Sequence, residues 1–237
     1  MIKAALFDCW GTLLQAPDLM RRGVAADLFH GSITASGCEI GIDEFREAYM
    51  AETRRQHEEA RVDHREIDYV RRIDSTLRAV GLQHPRRRLL AEGAWADYLA
   101  EWPRQSALFE ETPALLSYVK GRYRLGLVTN FPDGPTARMV FERFSFGAVF
   151  DSLVVSGEVG FRKPSRVIFE QSLSELGSAP EKTVMVGDTL DADVLGPKDM
   201  GMRAVLIDAD GSQSENHHLP DAVVKSIGDV GEILRKL

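Results

Sequence analysis

Five short apolar runs, at positions 3–7, 124–129, 153–156, 183–187 and 203–207, constrain this chain more than any other feature. Each is nearly uninterrupted in hydrophobicity, the pattern of a strand covered on both faces rather than one with a wet side. Between the later runs lie single helical patterns with start and stop signals. Thr112-Pro113 opens one that ends near Gly121, and others span 135–146 and 165–177. Strands that alternate with single helices are joined by crossovers, so the expected fold class is α/β with a doubly wound parallel sheet.

Positions 16–103 break that rhythm. They hold no strand-like run, and their helical stretches, among them 43–59, 65–80 and 85–101, are separated by Gly41, Val62-Asp63 and Gly81-Leu82. The expectation is an inserted helical domain at 16–103, dividing the sheet domain into 1–15 and 104–237. Its small core is expected from Met20, Leu28, Phe29, Phe45, Tyr49, Tyr69, Ile73, Leu77, Trp95 and Leu99. The insert carries 13 Arg and no Lys against 16 acidic residues, a near balance that reads as solvated helical faces rather than a binding patch.

Charge and composition exclude several function classes. A net charge of −7 repels nucleic acid and anionic membrane. No apolar run approaches the ~20 residues that span a bilayer, and the apolar stretch near Met1 is too short for a signal peptide. Two cysteines, Cys9 and Cys38, supply neither a disulfide framework nor paired zinc ligands, so a cytoplasmic location is expected.

In an open parallel sheet, ligands bind beyond the carboxyl ends of the strands. Asp8 follows the first run, Thr129-Asn130 closes the second, and Gly187-Asp188 closes the fourth. Lys163-Pro164-Ser165 stands just before a helix and can bring an ammonium to the same edge. Two carboxylates, a hydroxyl and a lysine at strand ends point to a nucleophile beside a metal or phosphate site. Cys9 reads as a small apolar group, His217-His218 as solvated loop residues, and Asp133 and Arg162 as neighbours of the site without an assigned role.

Taken in order, Asp8-Cys9-Trp10-Gly11-Thr12-Leu13, Thr129-Asn130, Lys163-Pro164 and Gly187-Asp188-Thr189-Leu190-Asp191-Ala192-Asp193 resemble the four motifs of the haloacid dehalogenase-like hydrolases. The resemblance implies a Rossmann-like core with the helical insert as a cap between the first and second motifs. It implies that Asp8 is a nucleophile forming a covalent aspartyl intermediate. It further implies Mg²⁺ held by Asp8, Asp188, Asp193 and the backbone carbonyl of Trp10, with Lys163, Thr129 and Asn130 binding the transferring group and Trp10 touching the substrate. The substrate would be a small, phosphorylated molecule.

One position departs from the pattern. Most phosphatases of this family carry Asp two residues after the nucleophile, as general acid and base; here it is Trp10, whose indole donates no useful proton at neutral pH. General acid–base help is worth roughly 10²–10⁴ in rate. Three readings follow: a Mg²⁺-dependent phosphatase with an atypical or cap-supplied acid; a metal-independent 2-haloacid dehalogenase, whose halide leaves without protonation; or a non-catalytic binder of a phosphorylated ligand or protein. The acidic fourth motif favours the first, because Asp188 without a cation would face Asp8 as a like charge.

Overall fold

All five apolar runs are strands. In chain order the strands of this computed structural model are β1 (Ala4–Phe7), β2 (Leu14–Gln15), β3 (Ala107–Leu108), β4 (Arg124–Thr129), β5 (Ser152–Val155), β6 (Thr183–Gly187), β7 (Arg203–Ile207) and β8 (Ala222–Val224). Every residue is described except Arg22 and His84. The chain divides into two units, one of Met1–Gln15 with Ser106–Leu237 and one of Ala16–Gln105.

In the first unit six strands pair in the order β5-β4-β1-β6-β7-β8, all parallel. The chain therefore starts in the middle of the sheet, runs outward on one side of β1 and then outward on the other. That reversal puts a topological switch point at β1, where an open α/β sheet leaves a crevice. Phe7 lies opposite Leu127 on one side and Val186 on the other, so the residues just past it, Asp8, Thr129 and Asp188, emerge along one edge.

Burial explains the continuous apolar pattern. The helix Arg166–Leu176 lays Ile168, Phe169, Leu173 and Leu176 against Leu6, Val128, Val154 and Met185 of the sheet. Each such side chain stabilises the fold by about 1.5–3 kcal/mol when fully covered. The ribbon of β2 and β3, with Leu14 opposite Leu108 and Gln15 opposite Ala107, was not visible in the sequence, since two-residue strands carry no periodicity. It ties together the two ends of the chain that flank the second unit, and Thr112 Oγ1 reinforces it by donating to Leu13 O at 2.9 Å.

The second unit is helical throughout, with helices Pro17–Met20, Val24–Ala35, Ile42–Asp63, Tyr69–Ala79 and Arg87–Gln105. Phe29, Phe45, Tyr49, Ile73 and Leu77 are buried as expected, and Tyr69, Trp95 and Leu99 are half-buried. Met20 and Leu28 are instead exposed, 45% and 39%. Val24–Ala35 turns the stripe Ala26, Phe29 and Ile33 inward, which leaves Leu28 on its flank, and the single-turn helix Pro17–Met20 buries Leu19 rather than Met20. Arg72 joins the buried set: its Nε donates to Gln56 Oε1 at 2.9 Å and its guanidinium lies 4.5 Å from the centre of the Tyr69 ring. Among the described residues no helix is long and apolar enough to cross a membrane.

Candidate active site

The site grows from the end of β1. Asp8 is buried, and its backbone N–H donates to Val186 O at 2.9 Å, which holds it beside the end of β6. The chain then turns sharply, with the N–H groups of Leu13 and Leu14 both donating to Cys9 O. Gly11 makes that turn possible. Its φ is +90°, and a Cβ there would lie 2.3 Å from Asp188 Oδ2, so no side chain fits between the turn and that carboxylate.

Trp10 points into the sheet domain. Its Nε1 donates to Ser106 Oγ at 3.0 Å, its ring stacks on Phe131 with centroids 4.5 Å apart, and it is 8% exposed. The indole N–H is thus engaged in a buried hydrogen bond, which adds a structural role to a position expected only to ligate or touch substrate.

Lys163 lies at the centre of the charged groups. Its Nζ donates to Asp8 Oδ1 at 2.6 Å and to Asp193 Oδ1 at 2.7 Å, and the residue is 3% exposed. Burial alone would lower the ammonium, but the Asp193 and Asp8 carboxylates outweigh it and hold Lys163 above the ordinary lysine range. Asn130 sets the lysine in place: its Nδ2 donates to Lys163 O at 3.0 Å while its Oδ1 accepts from the Lys163 N–H at 2.7 Å. The expectation that Asn130 binds substrate oxygens did not include this contact. Thr129, at the end of β4, is buried.

Asp193 sits on a π-helical turn, Leu190–Leu195, a geometry concentrated at functional sites. Its Oδ1 accepts from Lys163, and its Oδ2 accepts from the Thr189 N–H at 3.0 Å. Asp188 is half-buried and receives a long 3.4 Å hydrogen bond from Thr12 Oγ1. Carboxylate oxygens of Asp8, Asp188 and Asp193 all lie within 4.8 Å of one another. Burial, then the charges of Asp8 and Asp193, push the Asp188 carboxyl up to about 7. Three carboxylates against one ammonium leave an excess of negative charge that a divalent cation fits, with oxygen donors of the kind a hard cation takes.

Sequence reasoning placed the seven residues Asp8, Trp10, Thr129, Asn130, Lys163, Asp188 and Asp193 near one edge, and the structure brings Asp8, Lys163, Asp188 and Asp193 into one cluster. Asp133, left without a role, caps the helix Gly134–Arg143 by accepting from the Thr136 N–H at 2.9 Å. His217 is not a freely solvated loop residue: its Nε2 lies 2.6 Å from Oδ2 of the buried Asp208. Gln213, which no motif marks, donates from Nε2 to Asp188 O at 2.9 Å.

Residues 2–201 match the family model for haloacid dehalogenase-like hydrolases. The chain is 36% identical over 134 residues to the glyceraldehyde 3-phosphate phosphatase of Methanothermobacter thermautotrophicus, covering 53% of this chain and 58% of that protein. The first curated relatives are matched over only 55–61% of their own lengths. Among solved structures, a HAD phosphatase from Thermococcus onnurineus superposes with a TM-score of 0.70 at 25% identity, covering 98% of both chains. A 2-haloacid dehalogenase from Pseudomonas syringae superposes at 0.77 with 22% identity, covering 100% of this chain and 99% of that one, a likeness of fold alone.

Proposed function

The chain belongs to the haloacid dehalogenase-like hydrolases, and on that premise we propose that it is a Mg²⁺-dependent phosphatase of small phosphorylated molecules acting through Asp8. The observation that carries this reading is the buried Asp8 carboxylate, paired with Lys163 and flanked by two further carboxylates. The printed activities of the curated relatives, which include a glyceraldehyde 3-phosphate phosphatase, a pyrimidine 5'-nucleotidase and a phosphoserine phosphatase, support the substrate class.

In this mechanism an Asp8 oxygen attacks the phosphorus, a new O–P bond forms, and the ester P–O bond breaks with its electron pair leaving on the departing oxygen. Water then attacks the acyl phosphate, releasing phosphate and restoring the Asp8 carboxylate. Lys163 pairs with Asp8 and faces the phosphoryl oxygens, which the Thr129 hydroxyl also contacts. Asn130 holds the lysine in register. Asp8, Asp188, Asp193 and the Trp10 carbonyl are the groups that would hold Mg²⁺. When bound, the cation supplies positive charge beside the phosphoryl oxygens and offsets the repulsion among the carboxylates.

The Trp10 indole N–H is engaged with Ser106, so this position gives no proton to the leaving group. Phosphates whose leaving groups need no proton are favoured accordingly. We place the reaction in the cytoplasm, where the free thiols of Cys9 and Cys38 stay reduced. The acidic cluster argues against the metal-free dehalogenase reading, because Asp188 beside Asp8 without a cation blunts the nucleophile.

The test is phosphate release from p-nitrophenyl phosphate and acetyl phosphate. The expected result is activity that needs Mg²⁺, is abolished by EDTA and is lost in Asp8→Asn. Chloride release from 2-chloropropionate without metal, with no phosphate release, would overturn it.

A further inference from the structure

The peptide unit that joins Asp188 to Thr189 is gripped at both ends. Its N–H donates to Asp193 Oδ2 at 3.0 Å, and its carbonyl accepts from Gln213 Nε2 at 2.9 Å. A peptide unit is rigid and planar, so these two contacts together fix its rotation, and with it the direction in which the Asp188 side chain leaves the backbone. The inner grip belongs to the acidic cluster itself. The outer grip comes from a loop 25 residues further on.

That loop is itself closed. Asp208, the residue after β7, is held by its backbone N–H donating to Val224 O at 2.9 Å and by Lys225 Nζ donating to its carbonyl at 3.0 Å. Its side chain is 1% exposed, and Oδ2 lies 2.6 Å from His217 Nε2. Gln213 lies midway between these two partners in sequence. The Asp208–His217 contact therefore ties the far end of the loop to the sheet and limits where Gln213 can reach.

We propose that Gln213 is a positioning residue of the cation site, that it acts by orienting the Asp188–Thr189 peptide, and that the Asp208–His217 pair is the latch that holds it there. The inference rests on the reading that Asp8, Asp188 and Asp193 bind a divalent cation. Groups that hydrogen-bond to a metal ligand, rather than to the metal, typically shift affinity by roughly 10–100-fold when removed. Gln213→Glu removes the donor while keeping the shape and adding a negative charge, which by simple attraction would strengthen cation binding. A loss of affinity in that variant isolates the peptide-orienting role from bulk electrostatics.

The experiment is titration calorimetry of the full chain with MgCl₂, with circular dichroism to verify the fold. Gln213→Glu and His217→Ala are each expected to weaken Mg²⁺ binding by about 10–100-fold, and the double variant to be no weaker than the worse single one, since both act along one route. If Gln213→Glu fails to fold, Gln213→Met, which has similar length and no donor, carries the same expectation. Wild-type affinity in the folded Gln213 variants overturns the positioning role. Additive losses in the double variant overturn the latch. A wild-type chain that binds no Mg²⁺ yet releases phosphate overturns the cation reading and this inference with it, a result distinct from the other two.

Discussion

Asn130 grips both polar ends of the Lys163 backbone, donating to its carbonyl at 3.0 Å and accepting from its N–H at 2.7 Å. A side-chain amide that satisfies a donor and an acceptor of one residue works like a short piece of sheet. It carries the end of β4 to the chain segment that delivers the ammonium.

Asn130→Ala removes both hydrogen bonds and lets the lysine backbone shift. Stability is expected to fall by about 1–3 kcal/mol. Turnover is expected to fall by about 10²-fold, the effect of a displacement near 1 Å at a reacting group. Thermal unfolding and steady-state kinetics check the two separately; unchanged kcat would mean that Lys163 finds its place without Asn130.

The metal-free protein is expected to lose stability as pH rises from about 4 to about 7. Folding raises the Asp188 carboxyl from 3.8 to about 7, so in that window the folded state binds the proton that the unfolded state releases. Mg²⁺ offsets the charge repulsion, so its gain in Tm is larger at pH 8 than at pH 5. Asp188→Asn removes the Asp188 share of the pH slope, leaving that of Asp193, which burial also raises to about 6, and removes most of the Mg²⁺ gain. Thermal melts with and without Mg²⁺ across this range measure all three.

Trp10→Asp places a carboxylate where the indole stacks on Phe131 and bonds Ser106. It is expected to destabilise the fold by about 3–5 kcal/mol, the usual cost of emptying a large aromatic site. In the fraction that folds, turnover of alkyl phosphates relative to aryl phosphates rises, because an acid two residues after Asp8 assists only leaving groups that need a proton. The ratio does not depend on how much enzyme is folded, and an unchanged ratio would mean that the acid comes from elsewhere. Trp10→Phe keeps the ring and loses chiefly the Ser106 contact, so it is the milder change.

Gly11→Ala combines a left-handed backbone with a Cβ 2.3 Å from Asp188 Oδ2. The backbone strain costs roughly 1–2 kcal/mol, and the displaced carboxylate weakens Mg²⁺ binding. Gly121→Ala is the control: its φ is +79° but a Cβ there meets nothing within 4 Å, so it shares the strain and leaves cation affinity intact. Calorimetric titration of the two variants separates the contributions.

Asp8, Thr129 and Asp188 were legible in the sequence because a parallel sheet obliges strand ends to share an edge, whatever the loops do. Lys163 entered through its place before a helix and through the motif order, since nothing local says which carboxylate it meets. Asn130 was legible as a polar residue at the site, but its hold on Lys163, 33 residues away, depends on how two loops meet. His217 looked solvated because His217-His218 lies in a polar stretch; only the pairing of β7 with β8, which buries Asp208, gives it a partner.

Hydrophobic periodicity, strand ends and the spacing of a few acidic residues determined the sheet, its helical insert and the edge that carries the chemistry, because these are local properties that topology converts into position. Tertiary structure alone decided that Trp10 is bonded to Ser106, that Asn130 and Gln213 orient the backbones of Lys163 and Asp188, and that three carboxylates crowd one ammonium. Those hydrogen bonds join residues 25 to 155 positions apart, and a hydrogen bond is decided by ångströms and angles that no pattern along the chain encodes.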